Sequence, residues 1–407
     1  MATLWRVDIH VATKALERKL QKTLNHKRVE SLVKISEENM QKKLRTQDVE
    51  ILEGLALYGP RNLSRLATQL NMSTGTLRRK IRKLRSHFSL FFTGSIYHTN
   101  IGLRKVVVFV EFKLGYEELL YQCLKSNDYW LYVSQCIGSP KYLAIYGIPA
   151  GREKEFEEFL SELKKLDFVC DVKFFWSTCF QNVNTTSIWF DKEREEWVFP
   201  WGSWVKEVLN KKGELPYTLK DPSAYLQMAD WIDIMILKEL EKDYTIKLKD
   251  IARKLGISLQ RLKYHFENHV IKMKMLEGHQ IVAKHYEGLS PDTYYFRFVF
   301  KNHENFIKFA CSLLDKPFVR VMGKVYGKNQ LFVQVYLPRR ELKNFTEALS
   351  KLIKAGFLET YEYVIQDLTK TERQTISYEF FKDNNWIYDH KKYMKKLCSI
   401  IKHLKKD

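Results

Sequence analysis

Six basic side chains lie between Thr74 and Ser86, in a segment that contains no acidic residue. A helix that reads DNA uses its N-terminal residues to contact base edges and its basic residues to contact phosphates. The same pattern also suits a solvated basic helix face that binds nothing, but in the helix-turn-helix context described below we favour DNA. The predicted contacts are Ser73, Thr74, Thr76, Arg78 and Arg79 at the N-terminal end, and Lys80, Arg82, Lys83 and Arg85 on phosphates.

A second segment, Leu259 to Ile271, has the same pattern with a weaker charge, because Arg261 and Lys263 are accompanied by Glu267. We predict two recognition helices, 73–87 and 258–271, that enter the major groove and contribute unequally. The preferred DNA site would then be an asymmetric or degenerate palindrome. The DNA contacts predicted in this second helix are Ser258, Gln260, Arg261, Lys263 and Tyr264.

Other residue patterns give weaker indications of a metal site or of catalysis. His265 and His269 are four residues apart, a spacing that can hold zinc, but no Glu follows His265 and the sequence places no third ligand. Glu153 and Glu155 lie beside Phe156 on an amphipathic helix, which is typical of a solvated face. The chain contains no P-loop, dinucleotide-binding glycine pattern or nucleophile elbow. The sequence therefore predicts a protein that is not an enzyme, with no catalytic residues, metal or cofactor.

Each predicted reading helix is the third helix of a helix-turn-helix. In the first, Gln47 to Leu57 forms a helix, a short helix carries Ala67 at the crossing, and Ser73 caps the third helix. The turn before the third helix requires a left-handed residue. Asn71 supplies it in the first unit and Gly256 in the second.

The segment from Asp48 to Leu209 reappears, diverged, from Asp233 to Ile400. The offset is 185 in the helical part and drifts to 189 downstream. In each copy a βαββαβ order follows the helices, the ferredoxin-like arrangement. The predicted strands are 95–100, 106–112, 130–137, 142–148 and 169–176, then 294–300, 318–326, 330–337 and 360–366; the predicted helices are 116–125, 152–166, 305–314 and 339–355.

The predicted fold class is therefore α+β, with two tandem copies of a helix-turn-helix domain plus a ferredoxin-like domain that pair as an intrachain pseudo-dimer. Aromatic tails such as Trp197 to Trp204 are expected to pack over these domains or across the internal two-fold axis. The predicted limits are 1–43 for an amphipathic helical extension, 44–94 and 224–278 for the helix-turn-helix domains, 95–210 and 279–407 for the ferredoxin-like domains with their tails, and 211–223 for the linker.

The composition indicates a polyanionic partner, because the 407 residues carry a formal net charge of +20 and a pI near 9.4. No apolar run reaches 18 residues, so we expect no membrane association and a cytoplasmic protein. The extension places Leu16, Leu20 and Leu24 at helical spacing among basic residues. The segment from Lys391 to Lys406 predicts a basic amphipathic helix.

One set of residues runs from the first helix-turn-helix into the first strand of the sheet, namely Asp48, Ile51, Leu52, Leu66, Ala67, Leu70, Met72, Ser73, Leu77, Arg78, Arg79, Lys80, Ile81, Leu84, Ile96, Ile101, Gly102 and Leu103. With the order of helix-turn-helix, hinge strand and βαββαβ, this set resembles the Lrp/AsnC family of transcription regulators. The resemblance implies a sequence-specific regulator of double-stranded DNA. Because the internal pairing would fix the spacing of the two heads, we expect half-sites one or two helical turns apart. The effector stays unknown, because Gly138 to Lys141 departs from the family's effector region, and further homo-oligomers stay open.

Two alternatives remain open at the level of sequence. One is an enzyme similar to sirohaem decarboxylases, in which the helix-turn-helix is structural and a tetrapyrrole binds between domains. The other is an architectural nucleic-acid-binding protein that tolerates any sequence, for which the high positive charge is suggestive.

Overall fold

The computed structural model describes residues 43–404, so nearly all of the predicted extension 1–43, including Leu16, Leu20 and Leu24, lies outside the described residues. The first helical unit confirms the predicted turn chemistry. The Ser73 hydroxyl accepts a hydrogen bond from the Thr76 backbone N–H, and Asn71 is left-handed with φ of 50°. Its elements are α1 (Thr46–Tyr58), α2 (Leu63–Gln69), α3 (Thr74–Phe88) and the strand β1 (Phe91–Ile96).

The first half continues with strands and two helices, followed by an aromatic tail that ends in a helix. The elements are β2 (Leu103–Phe112), α4 (Glu117–Lys125), β3 (Trp130–Ile137), β4 (Lys141–Pro149), α5 (Glu153–Lys164), β5 (Val169–Asn182), β6 (Phe190–Asp191), β7 (Glu196–Trp197) and α6 (Trp201–Asn210).

The second half has elements in the same order. Gly256 ends α8 in the left-handed conformation with φ of 64°. The elements are α7 (Trp231–Lys242), α8 (Leu248–Leu255), α9 (Leu259–Tyr264) with a π-helical continuation (His265–Ile271), β8 (Leu276–Val282), β9 (Pro291–Val299), α10 (His303–Leu313), β10 (Val319–Val325), β11 (Gln330–Pro338), α11 (Glu341–Lys354), β12 (Thr360–Arg373), β13 (Phe381–Lys382), β14 (Asn385–Trp386) and α12 (His390–Leu404).

Eight strands form one closed antiparallel sheet in the order β10, β11, β9, β12, β3, β4, β2, β5, with β5 paired to β10. Four strands come from each half and follow the same internal order. The two halves therefore join edge to edge at β12–β3 and at β5–β10, which leaves none of these eight strands at an open edge. Apolar residues such as Val107, Phe332 and Tyr295 fill a core between the two halves.

The helices and tails outside the sheet form two larger cores, and each core combines residues of both halves. In one of them, Trp204 on α6 lies 5.7 to 5.9 Å, between ring centroids, from Phe309, Phe318 and Phe345 of the second half. In the other, Tyr393 and Leu397 on α12 are buried with residues of α4 and α5. The tails thus pack across onto the opposite half.

Three local predictions need correction. The strand predicted at 95–100 is β1, which ends at Ile96 because the ladder bulges there, and His98–Asn100 forms a 3-10 turn. The strand β8 was not predicted, because its sequence is polar and contains Gly278. The predicted helix 258–271 is α-helical only to Tyr264 and then π-helical.

None of the helices within residues 43–404 combines the length and apolar character needed to cross a bilayer.

Candidate functional site

The helix α3 has one buried face and one basic face. Leu77, Ile81 and Leu84 recur at helical spacing and are buried against α1 and α2. Three of the predicted contacts, Thr74, Thr76 and Lys80, are partly buried. Lys80 is also engaged within the unit, since its Nζ lies 3.9 Å from Asp48 Oδ1. The exposed predicted contacts are Ser73, Arg78, Arg79, Arg82, Lys83 and Arg85.

The second reading helix is exposed along its N-terminal turns but is less basic. The Ser258 hydroxyl accepts a hydrogen bond from the Arg261 backbone N–H, so it caps α9 as Ser73 caps α3. Leu262 is buried and anchors the helix. All the residues that the sequence predicted as contacts here are exposed, namely Ser258, Gln260, Arg261, Lys263 and Tyr264.

The two helical units contact each other directly. Strands β1 and β8 pair antiparallel, from Phe91 opposite Val282 onward. Arg61 Nε donates to the Tyr244 carbonyl oxygen at 2.7 Å, and the guanidinium carbon lies 4.6 Å from the centroid of the Tyr244 ring. His279 Nε2 donates to the Leu55 carbonyl oxygen at 3.0 Å. These contacts hold the two units in one relative orientation.

A cavity of about 200 Å³ lies between this strand pair and the closed sheet, and it carries a small set of polar side chains. His98 is buried, and its Nδ1 donates to the Ile96 carbonyl oxygen at 3.0 Å. Because a carbonyl oxygen only accepts, the proton is on Nδ1 and the Nε2 lone pair faces no partner among the described residues. Lys105, Arg373 and Glu241 also line this cavity.

Burial perturbs the titration of two of these groups. The pKa of His98 is held well below its ordinary value by burial first and by the nearby Lys105 second, so the imidazole is neutral. Burial raises the pKa of Glu241 to about 7, although its carboxylate accepts a hydrogen bond from the Ile376 backbone N–H at 2.9 Å. The cavity therefore combines two fixed cations, a neutral imidazole and a carboxyl that changes charge near neutrality.

The sequence reasoning missed this cavity. His98, Lys105, Glu241 and Arg373 come from distant parts of the chain, and only the fold brings them together. One local signal was present, because Lys105 and Arg104 come directly before the apolar run from Val106 to Val110 in the same strand. A polar residue in such a strand is uncommon unless it faces a partner or a cavity.

Comparison with known protein families finds a match in the second helical unit. Residues 230–268 match the family model described as winged helix-turn-helix DNA-binding, so this part of the chain is similar to that family. No curated protein sequence matches the chain at a significant level.

Solved structures match either most of the chain or a third of it. The siroheme decarboxylase NirDL, in complex with an iron-uroporphyrin III analogue, is 13% identical over 90% of this chain and 99% of that chain, with a TM-score of 0.43. A transcriptional regulator from Neisseria meningitidis, in an L-Met complex, is 17% identical over 33% of this chain and 89% of its own, with a TM-score of 0.26. AsnC from E. coli is 17% identical over 33% of this chain and 91% of its own, with a TM-score of 0.26.

These findings correct one prediction. The sequence suggested that the protein is not an enzyme, because it contains none of the familiar catalytic motifs. That exclusion is wrong as it stands, since the solved structures that match most of the chain are of an enzyme. The lack of short motifs does not exclude an enzyme, because catalytic groups can come from positions scattered along a chain.

Proposed function

We propose that this chain is a sequence-specific DNA-binding transcription regulator of the Lrp/AsnC type. The observation that carries the proposal is the face of α3, where Arg78, Arg79, Arg82, Lys83 and Arg85 are exposed and no acidic residue interrupts them. A helix of this kind, set third in a helix-turn-helix, places its first turns at base edges and its cations at phosphates.

The second part of the proposal is that the chain acts as a covalent pseudo-dimer with its heads at 44–94 and 224–278. The β1–β8 pair and the bonds of Arg61 support this part, because they join the heads without a concentration-dependent step. The equal order of strands in the two halves supports a tandem origin. Since α3 is more basic than α9, the proposed DNA site has one strong and one weak half.

The experiment that tests this proposal is selection of sheared host DNA on the purified full-length chain, followed by sequencing, at low and moderate salt. We expect a few intergenic sites, each with two spaced half-sites, to be enriched at both salt concentrations. Uniform retention that disappears as salt rises would contradict the proposal, because it is the behaviour of phosphate binding alone.

Matched variants assign the roles within α3. Arg78→Ala should relax the base preference at one position of the strong half-site and weaken binding to that site by about 1–3 kcal/mol. Lys343→Ala, which removes an exposed cation from α11, is the control and should change neither quantity. Equal effects of the two substitutions would show that α3 is an ordinary solvated face.

A second candidate function is binding or conversion of an anionic small molecule in the central cavity. The observation that favours it is the unpartnered Nε2 of the buried His98, which faces a space lined by Lys105 and Arg373. An imidazole that donates through Nδ1 and presents Nε2 is oriented as a ligand to iron would be. Structures of the siroheme decarboxylase NirDL match 85% and 90% of this chain, and an iron porphyrin with carboxylate side chains would suit these cations.

The cavity of about 200 Å³ is below the range of about 300–1,000 Å³ that is typical of small-molecule sites, so a tetrapyrrole would require the heads to move from the sheet. The test is an absorbance titration of the purified chain with iron-uroporphyrin III, with His98→Ala as the matched variant. A spectral change that saturates and is lost in the variant supports this second function. An unchanged spectrum in both proteins rejects it.

A further inference from the structure

A cluster of two histidines and two aspartates lies where α7 meets the π-helical continuation of α9. His265 Nδ1 is 3.0 Å from Asp233 Oδ1 and 3.4 Å from Asp230 Oδ2. His269 Nδ1 is 3.0 Å from Asp233 Oδ2. One atom from each of the four side chains lies within 4.8 Å of every other. The fold therefore supplies the third and fourth donors that the sequence could not place beside the two histidines.

The distances between these donors suit a small divalent ion. Tetrahedral zinc with bonds of about 2.0–2.1 Å has ligand atoms about 3.3 Å apart. The three histidine–aspartate separations given above are 3.0 to 3.4 Å, and the four donor atoms all lie within 4.8 Å of one another. Imidazole nitrogen and carboxylate oxygen are both ordinary zinc ligands. The carboxylates are also held in place, because the Asp230 backbone N–H donates to Asp233 and the Asp233 backbone N–H donates to Asp230, each at 3.0 Å.

The surroundings of Asp233 also favour a bound cation. Its side chain is fully buried, and no lysine or arginine of the described residues lies within 4 Å of its carboxylate. The residue 185 positions earlier, Asp48, is equally set in a capping box and has Lys80 Nζ at 3.9 Å. His265 occupies the position that corresponds to Lys80. The second half has therefore exchanged a fixed cation for an imidazole that can bind one.

The local backbone is unusual at the same place. From His265 to Ile271 the helix is π-helical, a conformation that is rare and occurs mostly as single turns at functional sites. His269 keeps about a fifth of its side chain exposed and Asp230 about a third, so the cluster is open to solvent on one side. This opening gives an ion a route to an otherwise buried carboxylate.

We propose that Asp230, Asp233, His265 and His269 form a Zn²⁺ site that ties α7 to the recognition helix of the second head. In the alternative state no metal is bound. Each imidazole then carries a proton on Nδ1 and donates a hydrogen bond to the Asp233 carboxylate. The inference does not depend on DNA binding, and its test is made without DNA.

The experiment uses the full-length protein after treatment with a chelator. It is titrated with Zn²⁺ in a calorimeter and with Co²⁺ as a spectroscopic substitute. The two variants are His269→Gln and His265→Lys. The second variant places a lysine beside Asp233, as Lys80 lies beside Asp48 in the first half, so that the buried Asp233 carboxylate keeps a cationic partner. His303→Gln, at an exposed histidine outside the cluster, is the control.

We expect a visible cobalt spectrum of tetrahedral type in the wild-type protein and in the control, and its loss in both variants. We also expect zinc affinity to fall at least about tenfold in the variants, and zinc to raise the melting temperature only where the site is intact. If His265→Lys does not fold, His269→Gln alone decides. Equal cobalt binding by wild type and variants, or no cobalt spectrum in the wild type, overturns the proposal.

Discussion

The carboxyl of Glu241 provides the sharpest test of the central cavity, because its substitution has a magnitude that follows from the structure. Burial raises its pKa to about 7, so the folded protein keeps this proton at pH values where the unfolded chain has released it. The free energy of unfolding therefore falls as pH rises from about 4.5 to about 7. Above pH 7 the carboxyl is ionised in both states, so Glu241 adds no further pH dependence. A carboxyl whose pKa rises from 4.5 to about 7 on folding loses about 3 kcal/mol of stability across this range. Glu241 is only partly shielded from solvent, and this reduces the value to about 2 kcal/mol.

Glu241→Gln removes the titrating group and keeps an oxygen that can accept from the Ile376 backbone N–H. We expect the variant to be more stable than wild type by about 2 kcal/mol at pH 8 and by less than about 1 kcal/mol at pH 5. Urea unfolding at both pH values measures the difference, and Glu359→Gln, at an exposed carboxyl, is the control. A stability gain that is the same at pH 5 and pH 8 would refute the reasoning.

Three further predictions concern the reading helix and the aromatic tail. Replacing Arg82 and Lys83 together by Ala should make the negative slope of log affinity against log salt shallower by about 2, because two phosphate contacts are lost. Fluorescence anisotropy on a duplex measures this slope, and Lys343→Ala should leave it unchanged. Ser73→Ala should cost about 1 kcal/mol of stability, because the Thr76 backbone N–H loses its cap, and Ser86→Ala, at the other end of α3, should cost less. Trp204→Ala should cost about 3–5 kcal/mol in urea unfolding, because its ring packs on Phe309, Phe318 and Phe345 of the other half; a cost near zero would show that α6 does not join the halves.

The features that the sequence predicted correctly are local ones. Ser73 caps its helix through a hydroxyl that accepts from the backbone N–H three residues further along. Asn71 and Gly256 adopt the left-handed conformation that the turn requires. The basic face of α3 is also local, since helical spacing alone separates Arg78 and Arg82 from the buried stripe. Such features depend on interactions within a few residues, and one sequence contains them in full.

The features that the sequence could not supply join residues far apart in the chain. β8 has a strand partner only because β1 lies beside it, and its own polar sequence does not favour a strand. Alternation of apolar residues shows that a strand has a buried face, but it does not show which strand pairs with it. The sequence therefore could not predict that β12 pairs with β3. The same holds for the tails, whose burial was predicted but whose packing partners were only broadly foreseen.

The candidate sites divide in the same way. The sequence by itself determined the exposed cations of α3 and α9, because a surface helix face follows from the pattern of its own apolar residues. Only the tertiary structure placed His98, Lys105, Glu241 and Arg373 around one cavity. It also brought Asp230 and Asp233 to the two histidines of the π-helical turn. The physical reason is that burial, charge and coordination depend on which distant side chains share a space, and that is decided when the two halves pack together.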